Sequence, residues 1–311
     1  MTTQVASIPK AASQPIAATR THGRRGLPRS RQFVLQLICL AIAATVLFPI
    51  MWVVSMSLNP LDISKPTQLI PDHATLDAYA KVIARPTLND ISFARLALNS
   101  IVIAVIISAA SVSIGAMAAY AFSRLQFRGR EFFMIAILAV LMLPAVATIA
   151  PLFVQLNKIQ FGTLNLRASL VGVALAVTSS QLPFAIWNIK GYLDTIPKEL
   201  EEAASIDGAG RFQTFLRVIL PLATPVLAVT AFFGFIAGWT EFYFSSVFLT
   251  GNTDLTTLAM ALNGMVGQYA ASTPWSQFAA FSVLVALPVS IVYLFLQRYI
   301  ISGLTVGSVK G

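Results

Sequence analysis

The chain has 311 residues, of which 57% are hydrophobic and 11% charged, with 21 Lys and Arg against 12 Asp and Glu. A soluble domain carries about 25% charged residues, so a water-facing surface cannot be covered; disorder is excluded too, and Cys39, the one cysteine, leaves no intrachain disulfide scaffold. The formal charge of +9 raises nucleic acid as a partner, but the spacing of the charges matters more than their sum.

Residues 1–31, rich in Ala, Thr, Ser, Pro and Arg, read as a disordered basic tail. Arg24 and Arg25 precede an apolar run that is too long for the core of a secretion signal and lacks a convincing cleavage site. Six charge-poor intervals then follow, at 33–58, 96–122, 132–156, 168–189, 218–240 and 276–296. A helix needs about 20 residues to cross about 30 Å of hydrocarbon, and each interval is long enough. One such run is compatible with a buried helix of a large soluble protein; six in series are not. The predicted fold class is therefore an all-α polytopic membrane protein with six transmembrane helices within residues 32–300. Pro49, Pro144, Pro183 and Pro288 fall inside these runs, which a membrane bundle tolerates because neighbouring helices satisfy the freed backbone groups. The segment 59–95, punctuated by Pro60, Pro66, Pro71 and Pro86, reads as a small extramembrane cap without a core.

Basic loops resist translocation, so Lys and Arg set the orientation. With the amino terminus inside, fifteen of the 21 basic residues fall on the inner side and six on the outer. Both termini are therefore expected in the cytoplasm. The positive excess reports topology, and no nucleic-acid partner is implied.

The loop at about 190–221 is longer and more patterned than a connector requires. Pro197 suits a first helical position, Glu199, Glu201 and Glu202 suit the positive end of a helix dipole, and Gly208 after Asp207 suits a left-handed stop. A second helix from about Gly210 places Phe212, Phe215, Leu216 and Ile219 on one apolar face, opposite Arg211, Gln213, Thr214 and Arg217, before Pro221 opens the fifth span. An amphipathic helix lying on lipid headgroups accounts for the basic face. Only a docking element accounts for the small residues Ala203, Ala204 and Gly208, which let a backbone seat deeply in another protein while Glu202 meets a basic rim.

Glu202, Ala203, Ala204 and Gly208, followed by Val218, Leu220 and Pro221, resemble the EAA loop of ABC importer permeases, with Val218 where the family has Ile. The resemblance extends to Trp187, Lys190, Gly191, Tyr192 and Pro197, to Thr240 and Glu241, and to Gly303, Leu304, Thr305, Gly307, Val309, Lys310 and Gly311. All six spans are similar to permeases of the MalG type, which serve maltose, maltodextrin and related sugars. What this implies is a type I importer permease in the bacterial cytoplasmic membrane, paired with a MalF-like second permease. Two MalK-like ATPase subunits lie beneath it and an extracytoplasmic sugar-binding protein above. Glu202, Ala203, Ala204, Asp207, Gly208, Leu220 and Pro221 would then belong to the ATPase-docking loop. Gly303, Leu304, Thr305 and Lys310 would belong to a cytoplasmic tail, 301–311, that touches the ATPase. The outer loop at about 245–274 is implied to reach the binding protein.

The chemistry of the remaining residues agrees with a transporter. No G-x-x-x-x-G-K-[ST] phosphate loop occurs, so ATP hydrolysis is expected in a partner subunit, and no cofactor is expected. His22 and His73 have no acid near enough in sequence to suggest a metal site. A secondary transporter would place ionisable groups within its spans, and an intramembrane hydrolase would need Ser-His, paired-acid or His-rich constellations there; neither pattern occurs. Glu241, an acid flanked by apolar residues at the end of the fifth span, is a candidate for gating. Gly115, Ala116, Ala118 and Ala119, and likewise Gly234, Ala237 and Gly238, suit close helix packing.

Overall fold

The computed structural model describes residues 28–63, 68–87, 90–162, 164–266 and 273–306, with side chains excepted at 161, 164 and 300–306. By contacts the chain falls into two units, 1–49 and 50–311. The described part of the first unit is the opening stretch of helix α1 (Arg29–Ser57), whose Phe33, Leu40 and Val46 are exposed. Arg29, Ser30 and Arg31 are helical rather than part of a tail, and residues 1–27 lie outside the described ones.

The second unit is built around helices α3 (Phe93–Arg124), α6 (Leu170–Leu193) and α10 (Thr224–Trp239). Ser92 starts α3 by accepting from Arg95 N, and Ser169 starts α6 by accepting from Gly172 N at 3.0 Å. What brings the three together is the absence of side chains at particular points. A Cβ on Gly238 would stand 2.5 Å from Ala104 Cα, one on Gly234 would stand 2.9 Å from Ser108 Cα, and one on Gly115 would stand 3.2 Å from Ala185 Cβ. Gly234 and Gly238 are four residues apart, so they share one face of α10 and let its backbone rest on α3. Ser108 Oγ closes the contact by donating to Ala231 O at 2.9 Å.

Helix α13 (Trp275–Val306) packs against α10, and Trp239 Nε1 donates to Val285 O at 3.0 Å. Its helix runs through Val306, into residues expected to form the tail, and 307–311 lie outside the described residues. The segment 59–95 also departs from expectation. Its helix α2 (Asp77–Ala84) buries Ala78 and Val82 in a cluster with Leu96, Trp239, Leu258 and Phe281. The cap therefore shares the core of the bundle, since its apolar residues lie four apart on one helical face.

The third interval is broken. Helix α4 (Arg130–Val140) is followed by a 3₁₀ turn (Ala145–Thr148) and helix α5 (Ile149–Asn157), bent from α4 by 100°. Pro144, expected within a continuous helix, has an extended ψ of 127°. A proline donates no hydrogen bond and restricts the residue before it, and here neither loss is compensated by a continuing helix. After α5 comes a short antiparallel ladder of β1 (Gln160–Phe161) and β2 (Leu164–Asn165). Among the described residues, five helical stretches are long and apolar enough to cross a membrane, or six if the bent pair is one span.

Candidate functional site

The patterned loop lies where α3 and α6 end. Helix α7 (Glu199–Ile206) begins two residues after Pro197, so Pro197 precedes the helix instead of occupying its first turn. Glu199, Glu201 and Glu202 sit in that first turn, where the dipole favours negative charge. The helix stops as the sequence foretold. Gly208 has φ +84°, its N–H donates to Ser205 O at 3.1 Å, and Ala209 N–H donates to Ala204 O at 2.9 Å, the paired bonds of a Schellman stop.

Helix α8 (Arg211–Thr214) follows, then a π-turn over Phe215–Ile219, helix α9 (Leu220–Leu222) and α10. Leu220 N–H reaches back five residues to Phe215 O. The cause is Pro221, whose ring would collide with the Arg217 carbonyl in a regular helix. The apolar face expected along Phe212, Phe215, Leu216 and Ile219 is accordingly divided. Phe215 and Ile219 are buried with Ala119, Ile189 and Leu193, whereas Phe212 and Leu216 are exposed. The Tyr120 ring lies beside Phe215, tilted by 47° with ring centroids 4.9 Å apart.

Two adjacent acids of α7 have opposite surroundings. Glu202 is exposed, as are Ala203, Asp207, Gly208 and Ile206, the last at 87%. A Cβ on Gly208 would meet nothing within 4 Å, so the end of α7 is open. Ala204 is half-buried. Glu201 instead turns toward α3: Arg124 Nε donates to its Oε1 in an ion pair, and Tyr120 OH donates to its Oε2 at 3.0 Å. Arg124 Nη2 also donates to Ile196 O at 2.8 Å, in the connection before α7. The side chains of Arg124 and Glu201 are 7% and 17% exposed, and removing one partner of a pair this sheltered costs about 3–5 kcal/mol.

A second set of bonds ties α3 to the end of α6. Ser123 Oγ donates to Asp194 Oδ1 at 2.6 Å, and Lys190 Nζ to Asp194 Oδ2 at 2.6 Å. Partial burial raises the proton affinity of the Asp194 carboxyl, but the Lys190 and Ser123 hydrogen bonds and the charges of Lys190 and Arg124 outweigh it, holding the group below its usual 3.8. Trp187, Lys190, Gly191 and Tyr192 line a cleft of about 500 Å³ beside these bonds.

The loop motif is thus only partly gathered. Glu202, Ala203, Asp207 and Gly208 share the open end, while Leu220 is half-buried against the bundle and Pro221 sets the π-turn. Gly303, Leu304 and Thr305 lie in the last turns of α13, and Lys310 is outside the described residues. Glu241 is far along the chain from this end and has a different task. It is 7% exposed, and its carboxylate accepts from Phe244 N at 2.7 Å, from Ser245 N at 2.8 Å and from Ser245 Oγ, holding the first turn of α11 (Tyr243–Phe248). Within 245–274, helix α12 (Leu258–Gly264) is anchored by Ser100 Oγ, which accepts from Leu258 N at 3.0 Å. Sequence reasoning missed Tyr120, Ser123, Arg124 and Asp194. The available signal was that Arg124 is the first charge after a long apolar interval, with Tyr120 one turn before it.

Residues 111–306 match the family described as binding-protein-dependent transport system inner membrane component. The trehalose/maltose transport system permease protein MalG of Thermococcus litoralis is 38% identical over 90% of this chain and 99% of its own length. The trehalose transport system permease protein SugB of Mycobacterium tuberculosis is 34% identical over 85% and 93%. A solved bacterial ABC transporter involved in import of the acidic polysaccharide alginate has a chain 25% identical to this one, with a TM-score of 0.70, covering 88% of this chain and 98% of that one.

Proposed function

The chain belongs to the family of binding-protein-dependent transport system inner membrane components, a multi-pass membrane permease, and we propose that it forms one of two permease halves of an importer driven by ATP. The other half is MalF-like, two MalK-like subunits hydrolyse the ATP, and an extracytoplasmic protein delivers maltose, maltodextrin, trehalose or a related oligosaccharide. The sugar class follows the names of the relatives in Thermococcus litoralis and Mycobacterium tuberculosis. Both termini lie in the cytoplasm, since that orientation puts fifteen of the basic residues on the inner side.

The observation that carries this reading is the open end of α7. Glu202, Ala203, Asp207 and Gly208 offer two acids and little other bulk at an exposed helix end that the rest of the loop supports from behind. An ATPase subunit with a basic-rimmed groove would seat it, and closure of the ATPase would carry α7 along as a rigid body. Coupling of this kind is reciprocal in binding free energy, so a loaded binding protein outside favours the closed ATPase inside. The tail residues Gly303, Leu304, Thr305 and Lys310 add contacts to the ATPase. A role of Glu241 in gating passes through α11, whose first turn its carboxylate holds.

The test is co-purification. Glu202→Lys or Gly208→Asp is expected to release the ATPase subunits while the permease stays inserted in the membrane. Undiminished ATPase on both variants would overturn the docking assignment. Uptake of labelled maltose, maltodextrin and trehalose by the wild-type complex identifies the sugar.

A further inference from the structure

We propose that Arg124 is the positioning residue that makes α7 move with α3, through a latch formed with Glu201 and Tyr120. The inference rests on the docking role of α7 argued above, and it concerns a different face of the same helix.

Helix α7 has eight residues and none of them is buried, so neither helix propensity nor a core of its own fixes where it points; helices this short are marginal in isolation. Hydrogen bonds accepted by Glu201 supply the direction. The carboxylate takes Arg124 Nε on one oxygen and Tyr120 OH on the other, so it is held against both residues of one turn of α3. The planar guanidinium uses a second edge for Ile196 O at 2.8 Å, and thereby grips both α7 and the connection leading into it. A lysine ammonium lacks this rigid fork.

What the latch is attached to gives it mechanical meaning. Arg124 ends α3, the helix on which Gly234 and Gly238 of α10 rest and against which Gly115 lets α6 approach. At its other end α3 holds the segment before α12: Asn99 Nδ2 donates to Asp254 O and to Thr256 O, both at 2.8 Å. From Asn99 to Arg124 the helix covers about 38 Å at 1.5 Å per residue. A displacement delivered to the outward face of α7 therefore reaches α3 at Arg124, and with it the two helices packed on α3. Glu202 meets the ATPase and Glu201 meets the bundle.

The experiment uses the full complex in proteoliposomes with whichever of maltose and trehalose the wild type transports. Three quantities are read: ATPase retained on purification, stimulation of hydrolysis by the loaded binding protein, and sugar moved per ATP. Arg124→Lys, Glu201→Gln and the milder Tyr120→Phe are expected to retain the ATPase. The first two are expected to lower sugar moved per ATP by about fivefold or more, the low end of allosteric coupling. Tyr120→Phe is expected to lower it less, and the exchange Arg124→Glu with Glu201→Arg to recover part of it. Unchanged sugar per ATP in Glu201→Gln and Tyr120→Phe, or loss of the ATPase from them, would overturn the latch. Failure of the wild-type chain to retain the ATPase would overturn the docking reading instead, so the two failures are distinguishable. A merely structural pair would lower the amount of complex without moving the transport-to-hydrolysis ratio.

Discussion

Replacing Gly238 by alanine tests the packing of α10 on α3 most directly. The added Cβ would stand 2.5 Å from Ala104 Cα, 2.8 Å from Ala104 N and 3.0 Å from Ile107 Cδ1. Carbon atoms rest at about 3.5–4.0 Å, so the two backbones must part by about 1 Å, because neither is the end of a flexible side chain. Overpacking of this size costs about 1–3 kcal/mol. Gly234→Ala, at 2.9 Å from Ser108 Cα, should cost less, and Gly115→Ala, at 3.2 Å from the Ala185 and Ile189 side chains, less again. Gly191→Ala is the control: it lies in α6 with nothing within 4 Å of its Cβ, and alanine in a helix is favoured over glycine by about 0.5–1 kcal/mol. Thermal unfolding of the purified complex, followed by tryptophan fluorescence with Trp239 beside the substitution, should rank the midpoints Gly238→Ala below Gly234→Ala below Gly115→Ala, with Gly191→Ala at or above wild type. A Gly238→Ala protein as stable as the Gly191→Ala control would refute the close approach as the basis of the bundle.

Two further expectations follow from the polar contacts. Glu241→Ala removes the acceptor for Phe244 N and Ser245 N and should lower stability by about 1–2 kcal/mol, as loss of a helix cap does, whereas Glu241→Gln keeps one acceptor oxygen and should lose less; equal midpoints for the two variants would speak against a capping role. The Asp194 carboxyl is held below its usual 3.8 by Lys190, Ser123 and Arg124, so its contribution is present at neutral pH and is lost as pH falls below about 4, through the lowered folded-state value. Because the Asp194 side chain is 42% exposed the effect is modest, and Asp194→Asn should flatten the acid limb of a stability-against-pH curve; an unaltered limb would remove Asp194 from the account.

Long apolar helices were legible because a bilayer imposes a length, and Arg124 and Lys190 fall in the last turns of two of them. The stop at Gly208 was legible because a left-handed turn excludes most side chains. Other features needed the third dimension. Glu201 and Glu202 are consecutive acids of the same helix, and about 100° of rotation separates them; which one faces the bundle depends on where α3 lies, which no local pattern states. Pro144 was read as a tolerated helix proline, yet the same chemistry that Pro183 and Pro288 carry inside continuous helices here ends one. The difference lies in what packs around each proline. The cap at 59–95 looked coreless because four prolines punctuate it, but its helix α2 packs on α3 and α13 and places Val82 in the cluster that holds Leu96, Trp239 and Phe281.

The π-turn over Phe215–Ile219 carries a last consequence. An α-helix turns about 100° per residue, and a π-turn holds one residue more than the α-helical turn it replaces. Everything before it, from α8 back through Gly208, is therefore swung about a quarter-turn from the bearing that an unbroken helix would give it. Pro221 acts at a distance in this way: by residue count alone it sets the compass heading of the short helix α7 and its open end.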